Sequence, residues 1–250
     1  MDSPARLLPL VGAYNFRDLG GYPTTDGRST RWGRLYRSDT LHELTRQDLE
    51  LLREIGLASV IDLRTANEVE RTGRGVLGSE PVRYVNLSVL PEPGGEQQAA
   101  PATRIEDVAE RYLSYLDVGK TALVESFGVI TDPESYPLVF HCQAGKDRTG
   151  VLAALVLSCL GVDPSVIVDD YVLTATRMDL ILGRLRRDPQ YADRMNELPP
   201  SVFVVEASTM QGFLDGLERR FGGARAWALG AGVAEERLDS MVDLLVEDSG

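Results

Sequence analysis

Leu138-Val139-Phe140-His141-Cys142-Gln143-Ala144-Gly145-Lys146-Asp147-Arg148-Thr149-Gly150-Val151-Leu152-Ala153-Ala154-Leu155-Val156-Leu157 runs from a short apolar stretch through a polar, Gly-containing one into a long apolar one. The pattern predicts a strand, a tight loop and the N-terminus of a helix. Such a loop aims successive backbone N–H groups into one concavity, and the helix dipole adds about half a positive charge behind them. The concavity suits a phosphate dianion. One thiol, Cys142, opens the loop, and one guanidinium, Arg148, closes it with five residues between them.

These residue types at this spacing support phosphoryl transfer. Helix N-termini and nearby cations favour thiolate over thiol, which makes Cys142 the candidate nucleophile. The planar fork of Arg148 can hold two equatorial phosphoryl oxygens at once, as a lysine cannot. The Thr149 hydroxyl is placed to hydrogen-bond the sulfur and to stabilise it as a leaving group when water hydrolyses a phosphocysteine. Gln143, Ala144, Gly145, Lys146 and Thr149 complete the expected substrate-binding set, with Lys146 as a second cation on the loop rim for an additional phosphate. Gly145 and Gly150 relieve steric limits where the loop closes.

Other readings of the string are weaker. A lone cysteine before a helix is ordinarily a small hydrophobe, and only the full string with its Gly, Lys and Thr argues otherwise. A nucleotide-binding loop would need Gly at 140 and Ser or Thr at 147, where the chain has Phe140 and Asp147. The soft ligands are His42, His141, Cys142 and Cys159, with neither a CxxC nor an HExxH arrangement, so no metal or cofactor is expected. The two cysteines bracket a helix and lie too far apart to bond.

Around this stretch, helical and strand patterns alternate. Thr45 to Asp48 reads as a capping box opening a helix through Leu49, Leu52 and Ile55 that stops at Gly56. Strands are predicted at 57–63, 82–89 and 137–141, all parallel, and residues 91–103 read as a loop. Thr103 with Glu106 is expected to cap a helix carrying Val108, Tyr112 and Leu116, with a further helix to about 131. Asp163-Pro164 opens another, with Asp as cap and Pro in the first turn. Met210, Phe213, Leu214, Leu217 and Phe221 form one apolar stripe ending at Gly222-Gly223, and Leu238, Met241, Val242 and Leu245 form a second. The alternation predicts an α/β layer fold with helices packed on a mostly parallel sheet.

Length and composition fit a compact enzyme. The chain has 250 residues, 43% of them hydrophobic and 26% charged, enough for a sizeable core. A net charge of −12 argues against nucleic acid or an anionic membrane as partner, so positive charge for a phosphate must be local. Arg31, Arg34 and Arg37 are candidates, with surface ion pairs as the plainer reading. The apolar run from Val151 to Val162 is shorter than the ~20 residues of a membrane span. Arg6 precedes Leu7-Leu8-Pro9-Leu10-Val11, too short and proline-broken for a secretory signal. The expected location is cytoplasmic, or outside the cell by another route.

The string HCQAGKDRTG resembles the bacterial tyrosine phosphatase family of which a secreted mycobacterial enzyme is typical. So do Asn15-Phe16-Arg17-Asp18-Leu19-Gly20-Gly21-Tyr22, Arg34-Leu35-Tyr36-Arg37-Ser38, Val60-Ile61-Asp62-Leu63-Arg64 and the tail around Met210-Gln211-Gly212-Phe213-Leu214. The resemblance spans residue 10 to the C-terminus. It implies a protein-tyrosine-phosphatase-like fold in a single domain over 1–250, a phosphate loop at 142–149 and a helical lid at 179–200. It also implies a cysteinyl-phosphate intermediate without metal, and substrates from phosphotyrosine to phosphoinositides.

One departure stands out. The family's proposed general acid is an aspartate in the loop after the second parallel strand, where this chain reads Leu90-Pro91-Glu92-Pro93-Gly94-Gly95-Glu96. Asp147, already in the loop, is the first candidate for the acid, with a helix-capping carboxylate as its plainer role. Asp62, Glu92 and Glu96 are the alternatives. Arg17 and Asp18 either pair with each other or brace the phosphate loop, and Arg64 either meets substrate or holds Asp62. A phosphate-binding pseudophosphatase is the competing class, but such proteins typically lack the nucleophile or the arginine, and both are present.

Overall fold

The computed structural model describes residues 6–91, 107–188 and 200–248, together with Ala192 and Met195. A five-stranded sheet lies at its centre, in the order β1 (Arg17–Asp18), β3 (Leu35–Ser38), β6 (Leu138–His141), β4 (Ser59–Asp62), β5 (Arg83–Asn86). β1 is antiparallel to β3, and the other neighbours are parallel. Leu138 is level with Leu35 and Ser59, and His141 with Ser38 and Asp62. Three carboxyl ends therefore finish at one height, the position where open parallel sheets bind ligands.

β6 is apolar throughout because both of its faces are covered. Val139, with Val60 and Tyr36, packs on Leu49 and Leu52 of α1 (Arg46–Glu54). Leu138 and Phe140, with Ile61, face the larger core around α5 (Asp147–Cys159). That helix is apolar on all sides from Val151 to Leu157 because it is surrounded by the sheet, α3 (Val108–Val118), α4 (Lys120–Ile130), α6 (Pro164–Leu173) and α8 (Ala207–Phe221).

The expected α/β layers are present, and two of the caps work as read. Thr45 and Asp48 close a capping box on α1, and Asp163 accepts the Ser165 N–H ahead of Pro164. α8 stops at Gly222, whose φ is +76°, and α10 (Glu235–Leu245) follows α9 (Ala224–Ala231). The strands are shorter than predicted, because each parallel ladder lasts only four residues. Thr103, Glu106, Glu92 and Glu96 lie outside the described residues, as does most of 189–199; α3 is capped by Asp107. A second ribbon, β2 (Ser29–Thr30) against β7 (Val246–Glu247), joins the two ends of the chain and was not anticipated. Cys142 and Cys159 are free thiols, as expected. Among the described residues, no helix is long and apolar enough to cross a membrane.

Leu155 is fully buried on α5. Leu155→Ala is expected to lower stability by about 2–5 kcal/mol in urea unfolding, whereas Val118→Ala, at an exposed position, should stay within ~0.5 kcal/mol.

Candidate active site

The loop between β6 and α5 is shaped from outside. The Gln143 carbonyl accepts the Thr40 N–H at 3.2 Å, and the Gly145 carbonyl accepts Arg37 Nη2 at 2.8 Å and Asn15 Nδ2 at 3.4 Å. The Cys142 carbonyl lies 3.2 Å from His141 Nδ1. In a trans peptide the N–H points opposite to the carbonyl, so these contacts turn the N–H groups of Gln143, Ala144 and Lys146 toward the other side. The N–H groups from Gln143 to Asp147 find no acceptor among the described residues. Gly145 has φ +66°, and a Cβ there would lie 2.6 Å from the Ser38 carbonyl oxygen and from the Asp39 nitrogen. Only glycine lets the loop sit this close to the strand end.

Cys142 is buried at the base of this ring. Arg148, in the first turn of α5, points across to α2 (Ala66–Thr72), where its Nη1 and Nη2 meet the two carboxylate oxygens of Glu68 at 2.6 and 3.0 Å. Nη1 also donates to the Leu63 carbonyl at 3.2 Å. Glu68 is itself held as the third residue of a capping box with Thr65. Sequence reasoning missed Glu68, although the T-x-x-E signature of Thr65 to Glu68 was there to be read.

Asp147 meets three neighbours through one oxygen. Its Oδ1 accepts Tyr112 Oη at 2.8 Å and Arg111 Nη2 at 3.3 Å, and lies 3.4 Å from Lys146 Nζ. Burial opposes ionisation here, but the Lys146 and Arg111 charges and the Tyr112 hydrogen bond outweigh it and hold the carboxyl below the usual range. Its plainer reading as a side-chain cap does not hold, since the helix cap is Lys146 and no side-chain cap bond forms.

Three expectations are corrected. Lys146 is not on the rim: its buried ammonium donates to the carbonyls of Val202 at 2.5 Å and Val204 at 3.2 Å. The Thr149 hydroxyl makes no bond to sulfur; it is buried and has no hydrogen-bond partner among the described residues. Asp62 is not placed to give a proton. It is buried, with Arg64 donating through Nε at 2.9 Å and Nη2 at 2.6 Å and Tyr84 Oη at 2.8 Å. Burial pushes the His141 imidazole, 3.6 Å from Asp62, below its ordinary range. Burial likewise works against the Asp62 carboxylate, yet His141, Arg64 and Tyr84 together hold it at about 2.

The arginines also sort themselves. Arg64 holds Asp62, Arg31 donates to the Val246 carbonyl, and Arg34 stacks on Tyr136. Arg17 and Arg37 are buried and paired with Asp170, while Asp18 accepts the N–H groups of Gly20 and Gly33.

A buried thiol opening a loop whose N–H groups have no acceptor among the described residues, at a helix N-terminus that also carries a fixed guanidinium, suits phosphoryl transfer. The sequence profile described as Tyrosine phosphatase family matches residues 8–247. The chain belongs to that family. It is similar to the triple specificity protein phosphatase PtpB of Mycobacterium tuberculosis, with 27% identity over 95% of this chain and 98% of the relative. A tyrosine-protein phosphatase of Nostoc commune is 25% identical over 82% of this chain and 71% of its own length. Among solved structures, the core catalytic domain of the PP-IP phosphatase SIW14 from S. cerevisiae matches with TM-score 0.40 and 17% identity, covering 66% of this chain and 79% of that one. The protein is accordingly a phosphatase, a hydrolase of the cysteine-based class.

The ion pair at Asp62 has a pH signature. Its folded pKa of about 2 lies below the ordinary aspartate value, so its contribution is complete above pH ~4 and is lost as pH falls through the folded value. Asp62→Asn should be destabilised by about 3 kcal/mol near pH 7, because Arg64 is left buried without its partner. Urea unfolding should show the gap to wild type narrowing between pH 4 and 2; a gap independent of pH would contradict the pairing.

Proposed function

We propose that the protein hydrolyses phosphotyrosine monoesters through a phosphocysteine on Cys142, within one catalytic domain over 1–250 whose phosphate loop is 142–149. The observation that carries this reading is the set of loop N–H groups without acceptors among the described residues, next to a buried thiol. Gln143, Ala144, Gly145, Lys146 and Asp147 contribute those donors, and the Arg148 guanidinium, fixed by Glu68, stands at the end of the loop. Charge developing on the equatorial oxygens is met by donors that need no reorganisation.

In the first step Cys142 Sγ bonds to phosphorus as the bond from phosphorus to the tyrosyl oxygen breaks. That oxygen has a conjugate-acid pKa near 10 and leaves with a proton. Asp147 supplies it. Lys146 and Arg111 keep this carboxyl ionised in the free protein, and a phosphate dianion arriving beside it shifts the balance toward the protonated form. Having given up its proton, Asp147 then takes one from the water that attacks phosphorus. The P–S bond breaks, inorganic phosphate departs, and Cys142 is again a thiolate.

Cys142→Ser is expected to keep its fold and abolish phosphate release from aryl phosphates. Arg148→Ala should lower kcat by about 10²–10³-fold, and wild-type activity should be unchanged by EDTA and blocked by vanadate. A homogeneous Cys142→Ser preparation with full activity would end this mechanism.

Asp147→Asn keeps size and most hydrogen bonding but has no acidic proton. Its rate should fall much more steeply with leaving-group pKa than that of wild type, with tyrosyl phosphate hurt far more than nitrophenyl phosphate. An unchanged slope would move the acid role to another residue.

A further inference from the structure

Asp170, on α6, lies outside the phosphate loop and is absent from the steps above, yet four polar groups converge on it. Arg17 Nε meets its Oδ1 at 2.9 Å, Tyr22 Oη donates to the same oxygen at 2.8 Å, Arg37 Nη1 meets Oδ2 at 2.5 Å, and Arg17 Nη2 reaches its backbone carbonyl at 2.8 Å. Arg17, Arg37 and Asp170 are each about 1% exposed. The other arm of the Arg37 fork is the donor that holds the Gly145 carbonyl. Asn15 joins the same system, with its Oδ1 accepting from Arg17 and its Nδ2 reaching Gly145 and Thr174.

Two consequences follow. First, Asp170 fixes the plane of the Arg37 guanidinium, and through it the Gly145–Lys146 peptide, so that the Lys146 N–H faces the anion. Second, two buried guanidiniums share one carboxylate, which leaves one positive charge uncompensated behind the loop of an acidic protein. Burying excess charge is costly, and a site that binds a dianion gives it a counter-charge. We infer that Asp170 is a positioning residue for oxyanion binding, acting through Arg37 on the Gly145 peptide. This rests on the phosphatase reading for the identity of the anion.

Charge and positioning predict opposite signs, which makes the inference testable. Asp170→Asn adds positive charge near the loop, so an electrostatic role alone would tighten oxyanion binding. A positioning role requires the binding to weaken despite the added charge. Arg37→Lys keeps the charge but has no fork to serve Asp170 and Gly145 together, and it covers the case in which Asp170→Asn does not fold. The probe is vanadate, followed by calorimetry and by inhibition of aryl-phosphate hydrolysis, with thermal unfolding to establish the folded fraction. Folded Arg37→Lys and Asp170→Asn should bind vanadate at least tenfold more weakly than wild type, and kcat/KM should fall in parallel. Tyr22→Phe, which removes a donor to Asp170 without touching Arg37, should lose less than threefold. Wild-type or tighter vanadate affinity in folded Asp170→Asn or Arg37→Lys would overturn the inference and leave the phosphatase reading intact. A wild-type protein that neither binds vanadate nor releases phosphate would overturn both.

Discussion

A trans peptide unit cannot point its carbonyl and its N–H the same way, and in the loop from Cys142 to Arg148 the scaffold takes the carbonyls. Thr40 claims that of Gln143, and Arg37 with Asn15 claims that of Gly145. The N–H groups have only the inner side left. Much of the architecture serves this condition: β3 brings Arg37 alongside the loop, β6 delivers Cys142 one residue beyond the level of Ser38 and Asp62, and α5 starts where the loop ends. Gly145 is the position at which loop and strand come too close for a side chain.

The electrostatics are local. The chain carries −12 overall, yet the residues around the loop include Arg17, Arg37, Arg111, Lys146 and Arg148, all largely buried. Each is oriented by a carboxylate or a carbonyl, which spares it an unpaired burial. Asp170 holds the first two, Asp147 and backbone carbonyls engage the next two, and Glu68 fixes Arg148. In water these pairs would contribute little; inside the protein they set geometry, because a guanidinium fork has few ways to satisfy two partners.

The sequence made the sheet, the loop between β6 and α5 and most caps readable, because each depends on near neighbours: the apolar run into HCQAGKDRTG, Thr45 with Asp48, Asp163 before Pro164. What it concealed depends on partners far along the chain. Lys146 looks like a rim cation until its ammonium is seen on the Val202 and Val204 carbonyls. Asp62 looks like an acid at a strand end until Arg64 and Tyr84 close on it. Asp170 carried no chemical signature of its own, and the capping box that marks Glu68 says nothing of Arg148, since an acidic residue gains such a role only from the arginine it meets. Nothing local in the sequence brings Arg17 to Asp170, 153 positions away.

Rapid mixing with a phosphotyrosyl peptide, followed by acid quench and peptide mass spectrometry, tests the central claim most directly. The account predicts a transient phosphate on the peptide that contains Cys142, formed before inorganic phosphate appears and absent from the Cys142→Ser protein. Phosphate release with no such adduct at any time, or an adduct on another residue, would contradict it.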